Sequence, residues 1–266
     1  MDVADKIALV TGGGRGIGRG ISTVLARNGA DIVVADLNLD DALSVVAEVS
    51  EMGRQSMAQR VDVTEQESID KLVDAVMQRF GRIDILVNNA GVIAAPGWEE
   101  RERPSEEDWD LIYAVNVKGV ASVTESVVPH MKRRRYGKIV NIASIAGRQG
   151  TRTSIPYAAS KASVINLTQT FALELAEFNI NVNSICPGLL WTPMWQRIAT
   201  RFGTVPGDRQ GLSPREVFDL HVKQVIPMGR EQTPEDIGHA VAFLASDYAT
   251  NITGQALNVS GGSHLN

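Results

Sequence analysis

Cysteine is almost absent from this sequence: Cys186 is the only one among 266 residues. No disulfide can form within the chain, and this composition fits a reducing compartment such as the cytoplasm. Cys186 lies in the apolar run INVNSIC, which predicts a buried small side chain rather than a nucleophile. The histidines are few and lack ligand spacing, so we predict no metal site.

Long apolar runs and an excess of positive charge are also missing. No stretch reaches the roughly 20 consecutive apolar residues of a membrane span, and the apolar part of MDVADKIALVTGG is too short for a signal peptide. The formal net charge is −5, whereas a nucleic-acid groove needs clustered lysine and arginine. With 44% hydrophobic and 21% charged residues, the composition is typical of a soluble globular protein without a membrane or nucleic-acid partner.

Strand-like and helix-like segments alternate along most of the chain. Short apolar runs such as KIALV, DIVVAD and KIVNIAS are separated by segments with apolar residues at helical spacing. Such alternation predicts parallel βαβ units with right-handed crossovers. We therefore predict an α/β fold in which residues 1–266 form a single domain. Its core would be a doubly wound, Rossmann-like parallel sheet of about seven strands with helices on both faces.

The alternation stops between Gly188 and Pro227. This region is polar and contains several prolines, which predicts an irregular insertion, and long insertions of this kind are commonly functional lids. We place the lid near residues 189–227. Its excess of basic residues allows two interpretations: solvated helix faces, which is the simpler one, or a site for an anionic substrate such as a sugar acid. The basic residues are Arg197, Arg201, Arg209, Arg215 and Lys223.

A glycine-rich turn joins the first predicted strand to the first predicted helix. Gly12, Gly16 and Gly18 let the backbone approach a ligand closely, and the helix N-terminus offers N–H groups to a pyrophosphate. The spacing, GxxxGxG, differs from the common GxGxxG dinucleotide motif. Asp36 follows about 20 residues later, where a carboxylate binds ribose hydroxyls and repels a 2′-phosphate. NAD is therefore favoured over NADP, although Arg15 within the turn could meet a 2′-phosphate.

Tyr157 and Lys161 are four residues apart in a segment with helical apolar spacing. Their side chains leave one face of the helix, about 5–6 Å apart at Cβ. A nearby ammonium favours the ionised form of a phenol, and catalysis needs a group whose pKa lies near the working pH. Tyr157 is thus a candidate general acid or base. The alternative is a chance pairing of a packed tyrosine with a surface lysine, and the upstream Ser144 favours the catalytic interpretation.

Together these motifs resemble the short-chain dehydrogenase/reductase family. The matching motifs, in the family's order and spacing, are TGGGRGIG, Asp62-Val63, NNAG at 88–91, Asn116, Ser144, YxxxK at 157–161 and PGLLWT at 187–192. The resemblance covers nearly the whole chain. It implies an oxidoreductase that transfers a hydride between NAD(H) and a secondary alcohol or ketone.

The resemblance also implies a role for each matching residue. Tyr157 would exchange the proton of the substrate hydroxyl, and Ser144 would hold the substrate oxygen. Lys161 would lower the pKa of Tyr157 and bind the nicotinamide ribose, while Asn116 would hold a water that connects Lys161 to solvent. Asn88 is instead expected to tie strands together. Besides Tyr157 and Lys161, the implied cofactor-binding residues are Gly12, Arg15, Gly16, Ile17, Gly18, Asp36, Asp62, Val63, Asn89, Ala90, Gly91, Pro187, Gly188, Leu190 and Thr192.

The substrate pocket is expected between the segment after the predicted strand KIVNIAS, the start of the Tyr157 helix and the lid. Its predicted walls are Ser144, Ile145, Thr151, Arg152, Met194 and Trp195. The lid segment WTPMW is similar to that of diol, polyol and acetoin-type dehydrogenases in the family, so we predict NAD-dependent oxidation of a small polyol, diol or sugar. The resemblance also implies a homotetramer.

Two alternative functions stay open. An NADPH-dependent reductase of ketones or 3-oxoacyl groups would use the same residues, and the preferred cofactor distinguishes it. A non-catalytic nucleotide-binding scaffold is also compatible with the fold, because fold does not dictate function. That scaffold should lack one of Ser144, Tyr157 and Lys161, and all three are present.

Overall fold

The computed structural model describes residues 3–151, 154–205 and 207–265. The strands are β1 (Ile7–Thr11), β2 (Asp31–Asp36), β3 (Ser56–Arg60), β4 (Ile85–Asn88), β5 (Gly137–Ile142), β6 (Ile180–Pro187) and β7 (Ala256–Val259). They form one parallel sheet in the spatial order β3-β2-β1-β4-β5-β6-β7. The predicted seven-stranded, doubly wound α/β fold is confirmed.

Helices connect the strands and cover both faces of the sheet. The α-helices of the described residues are α1 (Gly16–Arg27), α2 (Leu39–Glu51), α3 (Gln66–Phe80), α4 (Glu106–Tyr113), α5 (Gly119–Arg134), α6 (Ile155–Leu175), α7 (Pro193–Thr204), α8 (Pro214–Val225) and α9 (Pro234–Ala245). Several begin where a side chain caps the first N–H groups. Ser105, for example, accepts from the Asp108 N–H, and the Asp108 carboxylate accepts from the Ser105 N–H at 2.8 Å.

The two faces of the sheet belong to separate hydrophobic cores. Ala8 and Val10 of β1 pack with α1, α2 and α9, whereas Leu9 packs with α3, α5 and α6 on the opposite face. Every residue of β1 and its neighbours β2 and β4 is buried. Strands covered on both faces are typical of parallel sheets, which is why the sequence runs are continuously apolar rather than alternating.

A reversal of strand order between β1 and β4 positions the site. The chain runs outward from β1 through β2 to β3 and then returns to β4 on the other side of β1. Thr11 consequently pairs with both Ala35 and Asn88. A crevice opens at the carboxyl ends of strands where the winding reverses, and open α/β sheets bind their ligands there.

The region that the sequence predicts as an irregular lid is largely helical. It contains α7 and α8, each 12 residues long. Thr192 and Ser213 are N-caps whose side chains accept a backbone N–H of the first turn, and a proline follows each of them. Proline is favoured at the first helical position because its missing N–H is not needed there. Pro193 and Pro214 therefore start helices, and the prediction of irregular structure was wrong for both segments.

Helices α4 and α5 form one continuous run through a π-helical turn at Ala114–Lys118. By length and composition alone, the run Glu106–Arg134 could cross a membrane, with a mean hydropathy of 1.2 in its most apolar window. Of that window, 44% is buried inside the protein, and Val123 and Val127 belong to a core against the sheet. A core helix of a soluble protein can have the same length and hydropathy. The absence of a membrane span therefore stays a prediction.

Candidate active site

A cavity of about 700 Å³ lies at the carboxyl edge of the sheet, between the glycine turn and the lid. The predicted residues that line it are Gly12, Arg15, Gly16, Ile17, Gly18, Asp36, Asp62, Val63, Asn89, Ala90, Gly91, Ser144, Ile145, Thr151, Tyr157, Lys161, Pro187, Gly188, Leu190, Thr192, Met194 and Trp195. Asn116 is fully buried and is not part of the cavity wall. Arg152 lies outside the described residues.

Gly12, in the turn after β1, and Gly18, in the first turn of α1, have no room for a side chain. Gly12 has φ +60°, and a Cβ on it would lie 2.9 Å from the Ala90 Cα atom. A Cβ on Gly18 would lie 2.0 Å from the Gly12 carbonyl oxygen. Asn89 holds this turn, because its Nδ2 donates to the carbonyl oxygens of Thr11 at 3.0 Å and Gly12 at 2.8 Å. The Asn89 side chain thus shapes the turn that faces the cavity.

The first turn of α1 opens into the cavity. Gly16, Ile17 and Gly18 line it there, and the N–H groups at a helix start have no acceptor within the helix. These groups and the helix dipole provide donors and partial positive charge for an anion. This glycine cradle fits the pyrophosphate part of a dinucleotide.

The Asp36 carboxylate lies beside the glycine turn at the end of β2. Its Oδ2 accepts from the Gly14 N–H at 2.9 Å, and its Oδ1 accepts from the Asn38 N–H at 3.0 Å. A Cβ on Gly14 would come within 3.0 Å of Oδ2, so glycine allows the backbone to approach the carboxylate. Two backbone donors fix the carboxylate, and its remaining lone pairs can accept from ribose hydroxyls.

Ser144, Tyr157 and Lys161 come together from the end of β5 and the first turns of α6. The Ser144 Oγ accepts from the Ala146 N–H at 3.1 Å and is hydrogen-bonded to the Tyr157 phenol. Lys161 donates from Nζ to the Ile142 carbonyl oxygen at 2.8 Å, and Nζ lies 5.7 Å from the centre of the Tyr157 ring. The three side chains line one part of the cavity wall, as the sequence predicts.

Burial has the largest effect on the pKa values of Tyr157 and Lys161. Loss of hydration raises the pKa of Tyr157 to about 12, although the Ser144 hydrogen bond acts in the opposite direction. Burial also lowers the pKa of Lys161 to about 8. The expected lowering of the Tyr157 pKa by Lys161 is not seen, because desolvation is the larger effect and the ammonium is directed to a backbone carbonyl. At neutral pH the site therefore holds a phenol beside a cation.

Asn116 lies in the π-helical turn, and its side chain is engaged by the protein. Its Oδ1 accepts from the Val92 N–H at 2.8 Å, and its Nδ2 donates to the Val92 carbonyl at 2.9 Å and to the Ser160 Oγ at 3.1 Å. A Cβ on Gly91 would lie 3.3 Å from Asn116 Oδ1 and 3.5 Å from Lys161 Nζ. Asn116 thus clamps the segment after β4 close to Lys161. Its role in holding a water stays a prediction.

The residues after β3 face the cavity, whereas the Asn88 side chain at the end of β4 faces the interior. Asp62 and Val63 line the cavity after β3, and the Asp62 Oδ1 accepts from the Thr64 N–H at 2.9 Å. Asn88 is turned into the protein, where its Nδ2 donates to the Thr124 Oγ1 at 2.9 Å and to the Asn141 Oδ1 at 2.8 Å. Asn88 ties β4 to α5 and β5, in agreement with its predicted structural role.

Gln232 holds the segment after β6 in place, a role that was not predicted from the sequence. The Gln232 Oε1 accepts from the Leu189 N–H at 2.8 Å, and the Leu189 carbonyl accepts from the Gln232 N–H at 3.0 Å. A Cβ on Gly188 would lie only 2.4 Å from Oε1, so the glycine makes room for this amide. Gln232 precedes α9 in no recognisable motif, and only the tertiary structure brings it to Leu189.

The lid arginines are engaged in contacts within the protein. Arg197 lines the cavity but forms an ion pair with Glu99 and donates to two backbone carbonyls of the segment after β4. Arg201 is buried and donates to the backbone carbonyls of residues 101 and 102. Arg215 pairs with two acidic side chains. Arg197 and Arg201 fasten the lid to its neighbours, which neither sequence interpretation describes, whereas the exposed Arg215 fits a solvated helix face.

The lid also presents an apolar helix face to the cavity. Met194, Trp195, Ile198 and Phe202 line it from α7, and Ile93 lines it from the segment after β4. Ile198 was not predicted as a pocket residue, because α7 was not predicted from the sequence. With Pro193 taken as a helix start, the spacing of these apolar residues predicts one helix face.

Comparisons with known proteins agree with this geometry. Residues 6–201 match the sequence profile of the family described as short chain dehydrogenase. The chain is 37% identical over 262 residues to a 3-oxoacyl-[acyl-carrier-protein] reductase of Thermotoga maritima, which covers 98% of this chain and 99% of the relative. It is 38% identical over 266 residues to a sorbitol dehydrogenase of Cereibacter sphaeroides, with both chains covered completely. The structure of an NAD⁺-bound xylitol dehydrogenase superimposes with a TM-score of 0.88 at 33% identity, covering 98% of this chain and 100% of that one.

The fold and the site define a class of enzymes that use a nicotinamide cofactor to interconvert CH–OH and carbonyl groups. Within that class, the chain belongs to the short-chain dehydrogenase/reductase family. The family resemblance inferred from the sequence motifs is therefore confirmed, as is the prediction of an enzyme.

Proposed function

We propose that this protein oxidises a secondary hydroxyl of a small diol, polyol or sugar with NAD and reduces the matching ketone with NADH. The observation that carries the proposal is a cavity with the Ser144, Tyr157 and Lys161 side chains in its wall and the Asp36 carboxylate lining it as well. The polyol dehydrogenases among the relatives support the substrate class.

In this proposal Ser144 and Tyr157 orient the substrate and transfer its proton. When bound, the cofactor supplies the carbon that accepts or donates the hydride. Ser144 positions both the substrate oxygen and the Tyr157 phenol. Tyr157 gives its proton to the carbonyl oxygen in reduction, and as phenolate it takes the proton of the hydroxyl in oxidation. Lys161, a cation at neutral pH, would bind the nicotinamide ribose.

The choice of NAD rests on charge at the adenosine end of the cavity. The Asp36 carboxylate is held by two backbone N–H groups beside the phosphate turn, where it would repel a 2′-phosphate. Leu37 follows it and adds no positive charge. The relative solved with NAD⁺ supports this choice.

The walls of the cavity favour a diol among the three predicted substrate types. Apolar side chains dominate the lid side, where Met194, Trp195 and Ile198 face the cavity. The polar side chains Gln149, Thr151, Ser154 and His221 line it as well. A sugar or long polyol would place many hydroxyls against apolar surface, and each unpaired hydroxyl costs binding free energy. A substrate with one remote oxygen and an apolar body fits better.

A second candidate is an NADPH-dependent reductase of ketones or 3-oxoacyl groups. Arg15 in the glycine turn is exposed, lines the cavity and has no ion-pair partner among the described residues. A 2′-phosphate could therefore attract it. The 3-oxoacyl reductase among the relatives supports this candidate, and the apolar lid wall is compatible with it.

A paired substrate and cofactor screen tests the proposal. Diols, polyols, sugars and cyclic alcohols are offered with NAD and with NADP, and the corresponding ketones are offered with NADH and NADPH. We expect diols to reduce NAD faster than NADP, as followed by nicotinamide absorbance. If no alcohol yields NADH while ketones consume NADPH, the reductase is the correct assignment.

Assembly into a homotetramer is also a proposal. Leu173 on α6 is 84% exposed, and Leu257 on β7 is 41% exposed, which leaves apolar surface uncovered in the single chain. These positions lie on or near the elements that the family resemblance implicates. Sedimentation velocity should show a tetramer, and a monomer at micromolar concentration would rule it out.

A further inference from the structure

The cavity contains a hydrogen-bonding side chain that the proposed reaction does not use. His221 of α8 lines the cavity from the lid. Its ring lies 5.3 Å from the Trp195 ring and 6.3 Å from the Phe202 ring, with only 23° between the planes of the second pair. Two aromatic neighbours fix the plane of the imidazole.

Arg209 determines which nitrogen of His221 carries the proton. The Arg209 Nη1 lies 2.8 Å from the His221 Nδ1, and a guanidinium can only donate. Nδ1 is therefore the acceptor, and a neutral ring has its proton on Nε2. Arg209 is itself fixed, since its Nη2 donates to the Gln224 Oε1 at 2.8 Å and its guanidinium lies over the Phe202 ring.

The same environment keeps His221 uncharged. Burial, and then the positive charge of Arg209, lower the pKa of His221 to about 4. The ring is therefore neutral at physiological pH and presents an N–H donor of constant charge. It is unsuited to proton exchange with the substrate near neutral pH.

We propose that His221 is a specificity-determining residue whose Nε2–H donates to a second oxygen of the substrate, remote from the reacting carbon. This inference rests on the proposed function and deepens it. No protein acceptor for Nε2 occurs among the residues that the structure describes. The rings next to it, Trp195 and Phe202, are largely apolar and also line the cavity, so His221 is the group that a remote oxygen would find on this part of the wall. A hydroxyl, ketone or ether oxygen has the required chemistry.

His221 would discriminate against substrates that lack the second oxygen, because its Nε2–H would then have no acceptor. A substrate without the second oxygen would cover the Nε2–H with apolar atoms and lose its hydrogen bond to water. Because the contact is distant from the reacting bond, it is made equally in the ground state and the transition state. The effect should therefore be seen in KM rather than kcat.

The test uses two matched series of probes, straight-chain methyl ketones and the same ketones with a terminal hydroxyl, reduced with NADH or NADPH. For each chain length, the ratio of kcat/KM for the hydroxylated and plain ketone is measured. In the wild type this ratio should peak at one chain length at about 3- to 10-fold, the value of one neutral hydrogen bond. His221→Phe keeps a ring but loses the donor, so its ratio should be about one. His221→Gln retains a donor near Nε2 and should recover part of the preference.

The matched control is His239→Gln on α9, where the side chain is exposed and outside the cavity wall. It should preserve the wild-type ratio. A ratio unchanged in His221→Phe, or a wild type without preference at any chain length, overturns the proposal.

A binding measurement separates this result from failure of the proposed function. If the wild type reduces none of the ketones, the proposed function fails, and ¹⁵N spectra of the histidine rings then decide on His221. A shift of the His221 Nε2 resonance with the hydroxylated ketone, but not with the plain one, supports the proposal. Equal shifts with both ketones, or no shift with either, overturn it.

Discussion

Lys161 donates from Nζ to the carbonyl oxygen of Ile142, 2.8 Å away in the interior of the protein. Ile142 ends β5 shortly before Ser144, so this bond links the strand that presents Ser144 to the helix that presents Tyr157. The Lys161 residue is only 4% exposed. A buried cation is costly, and here it fixes the relative positions of the three side chains at the proposed reaction centre.

Replacing Lys161 by methionine should stabilise the fold at neutral pH and abolish turnover. Burial lowers the pKa of Lys161 from 10.5 to about 8, so the folded protein binds this proton more weakly than the unfolded chain does. The resulting destabilisation is complete below about pH 8, shrinks as the pH rises toward 10.5 and is absent above it. Lys161→Met should therefore raise the free energy of unfolding by about 1–3 kcal/mol at neutral pH.

Urea denaturation at neutral pH and near pH 10.5 measures this effect. The gain should be largest at neutral pH and fade at the higher pH, where the wild-type lysine is already neutral when folded. Lys132→Met is the control, because Lys132 is 30% exposed and pairs with Glu174 on the surface. An equal gain for Lys161→Met at both pH values would contradict the assignment of the cost to the buried charge.

Tyr157→Phe should remove turnover and leave cofactor binding in place. Loss of a general acid or base typically costs about 10²- to 10⁴-fold in kcat. Because the pKa of Tyr157 is raised to about 12, the phenol is protonated at neutral pH, and the wild type should need higher pH for oxidation than for reduction. Initial rates in both directions across pH, with nucleotide titrations of the variant, check this. An oxidation rate that is independent of pH would speak against Tyr157 as the base.

Asp36→Asn should shift cofactor preference toward NADP. The substitution keeps the shape of the side chain but removes the charge that would repel a 2′-phosphate. The ratio of kcat/KM for NAD over NADP should fall by about tenfold or more, corresponding to roughly 1.4 kcal/mol. Asp40→Asn, an exposed carboxylate on α2, should leave the ratio unchanged. Unaltered preference in Asp36→Asn would contradict the assignment of the cofactor choice to this carboxylate.

Features tied to local spacing were predictable from the sequence. Tyr157 and Lys161 share a helix face because they are four residues apart, and Asp36 reaches the site because parallel strands end at the same edge of a sheet. The glycine turn carries its own steric reason, since Gly12 and Gly18 have no room for a Cβ. These predictions required no knowledge of long-range contacts.

Features that depend on tertiary contacts were not predictable. Gln232 and His221 acquire their roles only when α8 and α9 pack near the segment after β6 and the cavity, and no local motif marks them. The pKa of Tyr157 followed burial rather than its sequence neighbour Lys161. The lid helices were missed for another reason: Pro193 and Pro214 can end or begin a helix, and the preceding cap residue decides which.

Gln232→Met should weaken cofactor binding more than it slows the proton transfer. Methionine fills a similar volume but offers no acceptor to the buried Leu189 N–H, which costs about 1–3 kcal/mol of stability. The segment from Gly188 to Thr192, which lines the cavity, should then lose its fixed position. Nucleotide affinity from fluorescence titration should fall, while the pH dependence attributed to Tyr157 stays as in the wild type.

Gln255→Met, on an exposed loop before β7, should change neither property. Since Gln232 touches neither Tyr157 nor Lys161 in any hydrogen bond of the described residues, an altered pH profile would mean that it acts on the proton rather than on the cofactor segment.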